Sequence, residues 1–316
     1  ADFQRAGHLA PVPLPGGAAA IRQPWRMAAA YLDAASSDLA GLGVALPDAG
    51  DLGVARRNAD RWDTIVAMAR RRVNAPLTSS AGRLFDAAAA LLGVRDEITY
   101  EGQAAIELEQ LADPAEPLAY RAGLTTPDDP LTTPAARKPP PPSAAAPTDR
   151  AGSAAAAVDG AGSAAVPPNR AGVAALPPDR AGIAAAATDQ SGIAAATDRA
   201  GIAASGPFRA SGADLIAAVA ADLTAGVPRE RIAARFHNGV AALIVDGCVY
   251  LRERHGLATV ALSGGVFQNL LLLGRTVAGL EAQGFTVLTH SRVPCNDGGI
   301  SLGQAVIAAT RTRPPS

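Results

Sequence analysis

The spacing of apolar residues predicts short buried strands that alternate with helices, and the pattern is clearest near the C-terminus. TVAL (Thr259–Leu262) and FTVLT (Phe285–Thr289) are short β-branched apolar runs, as in buried parallel strands. A helical pattern from about Phe267 to Gln283 lies between them, and Gly284 is expected to end it. A last helix is predicted from Ile300 to about Thr310. This order is typical of a β-α-β-α unit.

Helical spacing also dominates the rest of the ordered sequence. Pro228 is expected to open a long helix that ends at Gly256, with an apolar stripe on one face that runs from Ile232 to Leu251. Further helices are predicted after Pro24, at about Arg61–Arg71, from Ser79 or Ser80 to Leu92, from Tyr100 to about Ala112, and at Asp214–Ala225. The Pro- and Gly-rich segment Phe3–Gly17 is expected to be an extended loop.

Residues 122–206 lack any such pattern. Lys138 precedes four consecutive prolines, and a short Asp-Arg-Ala-Gly-like repeat then recurs six times between Asp149 and Gly201. The repeats offer mainly alanine, which is too little apolar surface to offset the entropy of ordering the chain. We therefore predict a disordered insertion at 122–206, between a first part (1–121) and a C-terminal part (207–316) of one domain.

Composition narrows the class of protein. The 28 Lys and Arg residues nearly balance the 29 Asp and Glu residues, so nothing indicates a nucleic-acid partner. Cys248 and Cys295 fit no metal-binding spacing, and neither a signal peptide nor a membrane span is predicted, so we expect a reduced, cytoplasmic setting. The start at Ala1, without Met, suggests a fragment of a longer protein.

Two glycine-containing turns are the candidate ligand-binding segments. Ser263-Gly264-Gly265 and Asn296-Asp297-Gly298-Gly299 each follow a predicted strand, at the end where open α/β sheets bind ligands. Glycines let a ligand approach the backbone, and the start of the helix that follows is expected to offer unpaired N–H groups to an anion. From these residues alone, two ordinary turns remain the alternative.

The residue sequence around these turns identifies a protein family more specifically than their spacing does. LSGGVFQN (Leu262–Asn269) and VPCNDGGISLGQA (Val293–Ala305) resemble the C-terminal part of the hydrogenase-maturation carbamoyltransferases, the HypF family. The segments LPGGAAAIRQPWRMA, SSAGRLFDA, YEGQAAIELE and RFHNGVA resemble further blocks of that family. The resemblance implies an α/β domain of the actin-like, sugar-kinase-like type, with a mixed β-sheet flanked by helices.

The resemblance also implies a reaction. Members of the family use ATP and carbamoyl phosphate to form carbamoyl-adenylate, and they pass the carbamoyl group to the C-terminal cysteine of a HypE-like partner during [NiFe] hydrogenase maturation. An enzyme of this kind is therefore expected, although the isolated chain is expected to lack part of its site.

Site residues are carried over block by block from the resemblance. Asp86, which on its own reads as a carboxylate favoured by a helix dipole, would contact the nucleotide ribose. The other residues expected to bind nucleotide are Gly82, Gly102, Gln103, Ser263, Gly264, Gly265 and Asn269.

Asp297 is expected to be catalytic and to bind a divalent metal, either iron, zinc or magnesium. One carboxylate is a poor metal site, because such sites need three or four ligands. The family's HHxxH-type block is not reproduced by the four histidines of this chain, His8, His237, His255 and His290. The missing ligands are therefore expected upstream or on a second polypeptide. His237 itself is expected to be a packed helix residue, and Cys295 is expected not to be a nucleophile.

Two alternatives remain open. One is another enzyme of the same fold, such as a tRNA threonylcarbamoyl transferase or a sugar kinase; Arg83, where the tRNA-modifying branch has glutamate, argues against it. The other is a non-catalytic remnant that binds a nucleotide or a partner, which the missing histidines favour.

Overall fold

In a computed structural model of the chain, residues 3–40, 46–126 and 206–312 are described, and they all fall within one compact unit. The predicted insertion lies outside them except for its first five residues and its last one. The helices are α1 (Ala18–Arg22), α2 (Trp25–Ala40), α3 (Gly53–Arg57), α4 (Ala59–Arg71), α5 (Ala81–Leu91), α6 (Gln103–Leu111), α7 (Gly212–Thr224), α8 (Arg229–His255), α9 (Leu270–Ala282) and α10 (Ile300–Thr312). The strands are β1 (Gly7–Leu9), β2 (Val12–Pro13), β3 (Leu77–Thr78), β4 (Leu124–Thr125), β5 (Phe208–Ala210), β6 (Thr259–Ala261) and β7 (Thr286–Leu288), and short 3₁₀ turns occur at Ala49–Asp51, Gly265–Gln268 and Asp297–Gly299.

The predicted helices form where local signals place their ends. Helix α8 follows Pro228 and ends at Gly256, whose φ of 68° suits glycine. Helix α7 begins after Ser211, whose Oγ accepts a hydrogen bond of 3.2 Å from the Asp214 amide. Tertiary packing then selects which faces are buried.

The core forms among helices α2, α5, α6, α7 and α8. Phe85 of α5 meets Phe236 of α8 edge to face, with ring centroids 5.0 Å apart. The run Ala87–Ala90 on α5 is fully buried, and such small side chains let the neighbouring helices approach closely. The helix that carries Asp86 is therefore the central helix of the core.

The strands form three small sheets rather than one. In the first sheet, β5 pairs in parallel with β1 and antiparallel with β4, so this sheet is mixed, as predicted. A two-stranded antiparallel sheet joins β2 to β3, and a two-stranded parallel sheet joins β6 to β7. The α/β class with helices around a mixed sheet is confirmed.

Two expectations are corrected here. The segment Phe3–Gly17 is not only a loop, because its extended backbone supplies β1 and β2; Pro13, which has no N–H to donate, is tolerated in the short strand β2. The fold also continues past the predicted boundary at 121, since β4 at Leu124–Thr125 pairs with β5.

A buried ion-pair network fastens the chain ahead of β4 to helices α7 and α8. The Glu116 carboxylate lies 2.5 Å from Arg231 Nε, and the Tyr120 hydroxyl donates a 2.7 Å hydrogen bond to Asp222 Oδ2. Arg235 Nη1 reaches the same Asp222 oxygen at 2.8 Å. These bonds hold residues 113–123 in place, far along the sequence from the helices they touch.

Among the described residues, one helix, α8, is long and apolar enough to cross a membrane, with a best mean hydropathy of 1.2. Of that apolar window, 61% is buried against the rest of the chain, as for the core helix of a globular domain. The finding is explained by packing within the fold.

The two-stranded sheet of β6 and β7 is packed against helices on one face. Leu262, Leu280 and Phe285 form a small second core that holds β6 and β7 against α8 and α9. Helix α10, in contrast, leaves Leu302, Val306 and Ile307 about half exposed.

Candidate functional site

The two glycine-containing turns lie side by side at the carboxyl ends of β6 and β7. The Gly264 amide donates a 2.7 Å hydrogen bond to the carbonyl of Cys295, which precedes the Asn296-Asp297 turn. Ser263 Oγ lies 3.0 Å from His290 Nε2. The parallel pairing of Thr259 with Thr286 produces this arrangement, so the predicted juxtaposition of the two turns is confirmed.

The backbone around Gly264 requires glycine. Its φ of 108° and ψ of 153° lie where side chains are strongly disfavoured. The 3₁₀ turn that follows makes its first hydrogen bond from the Phe267 amide to the Gly264 carbonyl. Within the part of the chain that the structure describes, the amides of Gly265 and Val266 therefore have no backbone acceptor. These two N–H groups can meet an anion.

The start of helix α9 is already occupied, which corrects the expectation that its amides are free. Asn269 Oδ1 accepts a 2.8 Å hydrogen bond from the Leu272 amide. Glu109 of α6 reaches across and accepts from the amides of Leu270 and Leu271, at 2.7 and 3.1 Å. Sequence reasoning missed Glu109 because its partners lie 161 and 162 residues further along the chain.

His237 fixes the orientation of the Asn269 side chain by a hydrogen bond within the core. Its ring is fully buried, with Nδ1 2.7 Å from the Ala233 carbonyl and Nε2 2.9 Å from Asn269 Nδ2. Because a carbonyl only accepts, Nδ1 carries the proton and Nε2 accepts from the Asn269 amide. Burial lowers the pKa of His237 to about 4, although the hydrogen bond to Ala233 raises it, so the ring is neutral at pH 7. The expectation of a packed, hydrogen-bonded histidine is confirmed.

Asp86 is a buried carboxylate with unmet hydrogen-bonding capacity. Its side chain is 2% exposed, and Oδ2 lies 2.9 Å from Arg83 Nη1 one turn earlier. The contact is not aligned as a hydrogen bond, and neither atom has a hydrogen-bond partner among the described residues. Burial raises the pKa of Asp86 to about 6; the charge of Arg83 lowers it, and the charge of Glu101 raises it.

A third unpaired polar group lies close to this pair. The Tyr31 hydroxyl is fully buried and has no hydrogen-bond partner in the described part of the chain. Burial raises the pKa of Tyr31, while the nearby charge of Arg83 lowers it, so the hydroxyl stays protonated. Buried polar atoms without partners are uncommon, and each calls for a water or a ligand. Tyr31, Arg83 and Asp86 are referred to below as the buried polar cluster.

The buried polar cluster is connected to the glycine turn. Helix α5, which carries Asp86, contacts the 3₁₀ turn Gly265–Gln268. Val266 and Phe267 of that turn pack on the main core, and Phe85 lies 5.3 Å from the His237 ring. The structure therefore brings Asp86 and the turn with Gly264 and Gly265 onto neighbouring elements.

The remaining predicted nucleotide residues have local roles. Gly102 has a φ of 79° at the start of α6, which favours glycine. Gln103 is buried and uses its side chain within the loop: Oε1 accepts from the Thr99 amide at 2.8 Å, and Nε2 donates to Glu107. At Gly82 an added Cβ would make only ordinary contact, 3.6 Å from Ser80 Oγ. Their binding roles stay predictions.

Asp297 does not belong to a metal site formed by the described residues. It is exposed and begins the 3₁₀ turn Asp297–Gly299, where Asn296 Oδ1 accepts a 3.1 Å hydrogen bond from the Gly298 amide. Across residues 3–40, 46–126 and 206–312, no group of three or more His, Cys, Asp or Glu side chains could hold a metal ion. These residues alone therefore do not fit a catalytic metal, and the catalytic and metal-binding roles of Asp297 stay predictions.

Comparison with known proteins identifies relatives. Residues 1–138 and 182–304 match the family model for the carbamoyltransferase Kae1-like domain, second subdomain. The match thus extends into the predicted insertion, which the resembling blocks had skipped.

The chain is 32% identical over 313 residues to a carbamoyltransferase HypF homolog of Cupriavidus necator, covering 98% of this chain and 58% of the relative. It is 31% identical to carbamoyltransferase HypF of Rhodobacter capsulatus, of which it covers 28%. The chain therefore spans between about a quarter and three fifths of the length of these relatives.

Two solved HypF structures share the fold of this chain. The crystal structure of full-length HypF in the phosphate- and nucleotide-bound form matches 99% of this chain with a TM-score of 0.63 and 27% identity, and this chain covers 30% of it. The crystal structure of T.kodakarensis HypF shares the fold, with a TM-score of 0.59 at 18% identity over 98% of this chain and 30% of that protein.

Proposed function

The chain belongs to the second subdomain of the Kae1-like domain of the HypF carbamoyltransferases, and we propose that it forms the nucleotide-binding half of an ATP-dependent carbamoyltransferase site. The proposed setting is the cytoplasm, in the maturation of [NiFe] hydrogenases. The proposed substrates are ATP and carbamoyl phosphate, and the proposed acceptor is the C-terminal cysteine of a HypE-like partner.

One observation carries the proposal, namely that the buried Asp86 Oδ2 atom, 2.9 Å from Arg83 Nη1, receives no hydrogen bond from the residues that the structure describes. A ribose has two adjacent hydroxyl groups, and a hydroxyl that donates to Asp86 Oδ2 would satisfy this atom. Tyr31, whose buried hydroxyl is also unpaired, offers a donor to the same ligand. A bound nucleoside would thus remove two of the costs of the unliganded state.

The glycine turn supplies the second half of the proposed interaction. The free amides of Gly265 and Val266 would donate to phosphate oxygens of the nucleotide or of carbamoyl-adenylate. Gly264 and Gly265 carry no side chains of their own that would shield the backbone, and a pair of N–H groups directed at one anion stabilises negative charge that develops in a transition state. Ser263, beside His290, would border the phosphate on the side of the second strand.

The proposed reaction has two parts. Hydrolysis of carbamoyl phosphate would give carbamate and phosphate, and attack of a carbamate oxygen on the α-phosphorus of ATP would give carbamoyl-adenylate and release pyrophosphate. The partner's thiolate would then attack the carbamoyl carbon and release AMP. The residues of this chain would bind and orient the adenylate and stabilise charge on its phosphate. Asp297 would face the reacting group, and its partners would come from outside the described residues.

Calorimetric titration of the full chain with ATP, with and without Mg²⁺, tests the proposal. Asp86→Ala should weaken binding about tenfold or more, because a charged hydrogen bond to the ribose is lost. Asp246→Ala is the matched control, since Asp246 is an exposed carboxylate on α8. If the wild-type chain shows no binding at millimolar ATP, it does not form the nucleotide site alone and the proposal fails.

The second candidate is a nucleotide- or partner-binding module without activity of its own. The observation that favours it is that no three potential metal ligands converge within the described residues. Transfer of a labelled carbamoyl group to a HypE-like acceptor separates the two: turnover by this chain would exclude the module, and ATP binding without turnover would support it.

A further inference from the structure

Glu109 has no assigned role, yet it makes a contact that links distant parts of the candidate site. Its Oε1 atom receives two amide hydrogen bonds from the start of α9, at Leu270 and Leu271. Asn269 receives the next two: its side chain accepts from Leu272 and its carbonyl accepts from Leu273 at 3.0 Å. The Asn269 amide itself donates to the Val266 carbonyl at 3.2 Å, so the four amides that a helix leaves without intrahelical acceptors, those of residues 269–272, are all satisfied.

The chemistry of this contact differs from that of an ordinary cap. Asn269 caps its own helix, whereas Glu109 belongs to α6, which begins directly after Gly102 and packs on α5 beside Asp86. A carboxylate at the positive end of a helix makes short, charge-assisted hydrogen bonds. The contact therefore ties the helix that follows the glycine turn to the elements that carry the buried carboxylate.

The position of the carboxylate also decides where an anion can bind. A phosphate next to the amides of Leu270 and Leu271 would meet the negative charge of Glu109 and would find no free donor there. The amides of Gly265 and Val266, at the preceding turn, remain available.

We propose that Glu109 is a positioning residue of the proposed nucleotide site, holding the start of α9, which follows the turn Gly265–Gln268, on α6 and keeping phosphate off the start of α9. The inference rests on the proposed function only for the nucleotide. The clamp itself concerns the unliganded chain, so it can be tested separately.

The first test is hydrogen exchange of the amides of Leu270 and Leu271 in the full chain, measured without ligand. Glu109→Ala should speed their exchange about tenfold, as expected from the loss of charged hydrogen bonds. Glu109→Gln keeps an acceptor and should retain most of the protection. Glu281→Ala is the charge-matched control, because Glu281 lies near the other end of the same helix and is exposed. Equal exchange in Glu109→Ala and wild type would overturn the clamp.

The second test uses inorganic phosphate as the probe. Phosphate should slow exchange at Leu270 and Leu271 in Glu109→Ala, since the emptied helix start becomes an anion site. It should have no such effect in wild type. Protection by phosphate in wild type would show that Glu109 does not exclude anions, and the proposal would fail.

The third test is ATP affinity. Glu109→Ala should raise the dissociation constant about tenfold and Glu109→Gln by a smaller factor, with Glu281→Ala unchanged. If wild type binds ATP and Glu109→Ala binds equally well, the positioning role is excluded while the proposed function stands. If wild type does not bind ATP, the proposed function fails, and the exchange results still decide whether Glu109 clamps the helix.

Discussion

Replacing Asp86 by asparagine should make the chain more stable at neutral pH while impairing the site. The pKa of Asp86 is about 6 in the fold against 3.8 in an unstructured chain, with burial as the main cause. A carboxyl group whose pKa is raised by folding favours the folded state below pH 4, and this contribution is lost as the pH rises through 6. At pH 7.5 the ionised group therefore costs about 3 kcal/mol.

Asparagine has the shape of the protonated side chain and never ionises. The Asp86→Asn chain should gain up to about 3 kcal/mol of unfolding free energy at pH 7.5, but only about 1 kcal/mol at pH 4.5. The attraction of Arg83 is already contained in this difference, because it lowers the pKa of Asp86. For a domain of this size, each kcal/mol raises Tm by about 2–4 °C.

Urea unfolding of both chains at pH 7.5 and 4.5 measures the effect. Asp246→Asn makes the same chemical change at an exposed position and should leave stability within about 0.5 kcal/mol at both values. A chain that is destabilised by Asp86→Asn at pH 7.5, or a difference that does not depend on pH, would refute the reasoning. Gain of stability together with loss of ATP affinity is the signature expected of a functional residue that is strained in the unliganded state.

Three further outcomes are expected from substitutions elsewhere. Gly264→Ala should destabilise the chain by about 1 kcal/mol or more, because the φ of Gly264 is 108°. Gly265→Ala should fold normally and weaken only ATP binding, because its added Cβ would lie 3.8 Å from Asn296 Cβ, an ordinary contact. Thermal unfolding measures the first effect and calorimetric titration with ATP the second. Since the pKa of His237 falls from 6.5 to about 4 on folding, its neutral ring contributes stability that is lost as the pH falls through this range. The wild-type chain should therefore lose about 2–3 kcal/mol of unfolding free energy relative to His237→Gln between pH 7 and 4.5. Urea unfolding that shows the same pH dependence for both chains would contradict this. Glu116→Ala should cost about 1–3 kcal/mol, because Arg231 loses its 2.5 Å partner while buried Arg235 loses a carboxylate 3.6 Å away and keeps Asp222. Chemical denaturation would show this, and a cost under about 0.5 kcal/mol would mean that the network is solvated.

The longer helices and the two parallel strands near the C-terminus were predictable from local signals, whereas the five-residue helices α1 and α3 were not. Apolar spacing, Pro228 and Gly256 define α8 to within one residue, and β-branched runs define β6 and β7. Strands of two or three residues, such as β2 and β4, carry too few residues for a period, and only their pairing partners make them strands.

The candidate site was predictable in part. The residue sequences of the motifs located the two glycine turns, and the parallel pairing of β6 and β7 brings the turns together. The occupied start of α9 was not predictable, because Glu109 acts on Leu270 and Leu271 through the tertiary fold alone. Likewise, the missing hydrogen-bond partner of Asp86 depends on what packs around α5, and helix position alone suggested an ordinary dipole effect.

The pairing of β4 with β5 has a consequence for how this chain tolerates change in length. Thr125 and Arg209 are paired partners in adjacent antiparallel strands, so the connection between β4 and β5 begins and ends at neighbouring backbone positions. Once two ends are fixed this way, each doubling of the connecting length costs only about 0.6 kcal/mol. The ends of β4 and β5 are therefore a permissive place for a change in the length of the connection, and grafting another folded module between Thr125 and Phe208 should leave the helices that hold Asp86 undisturbed.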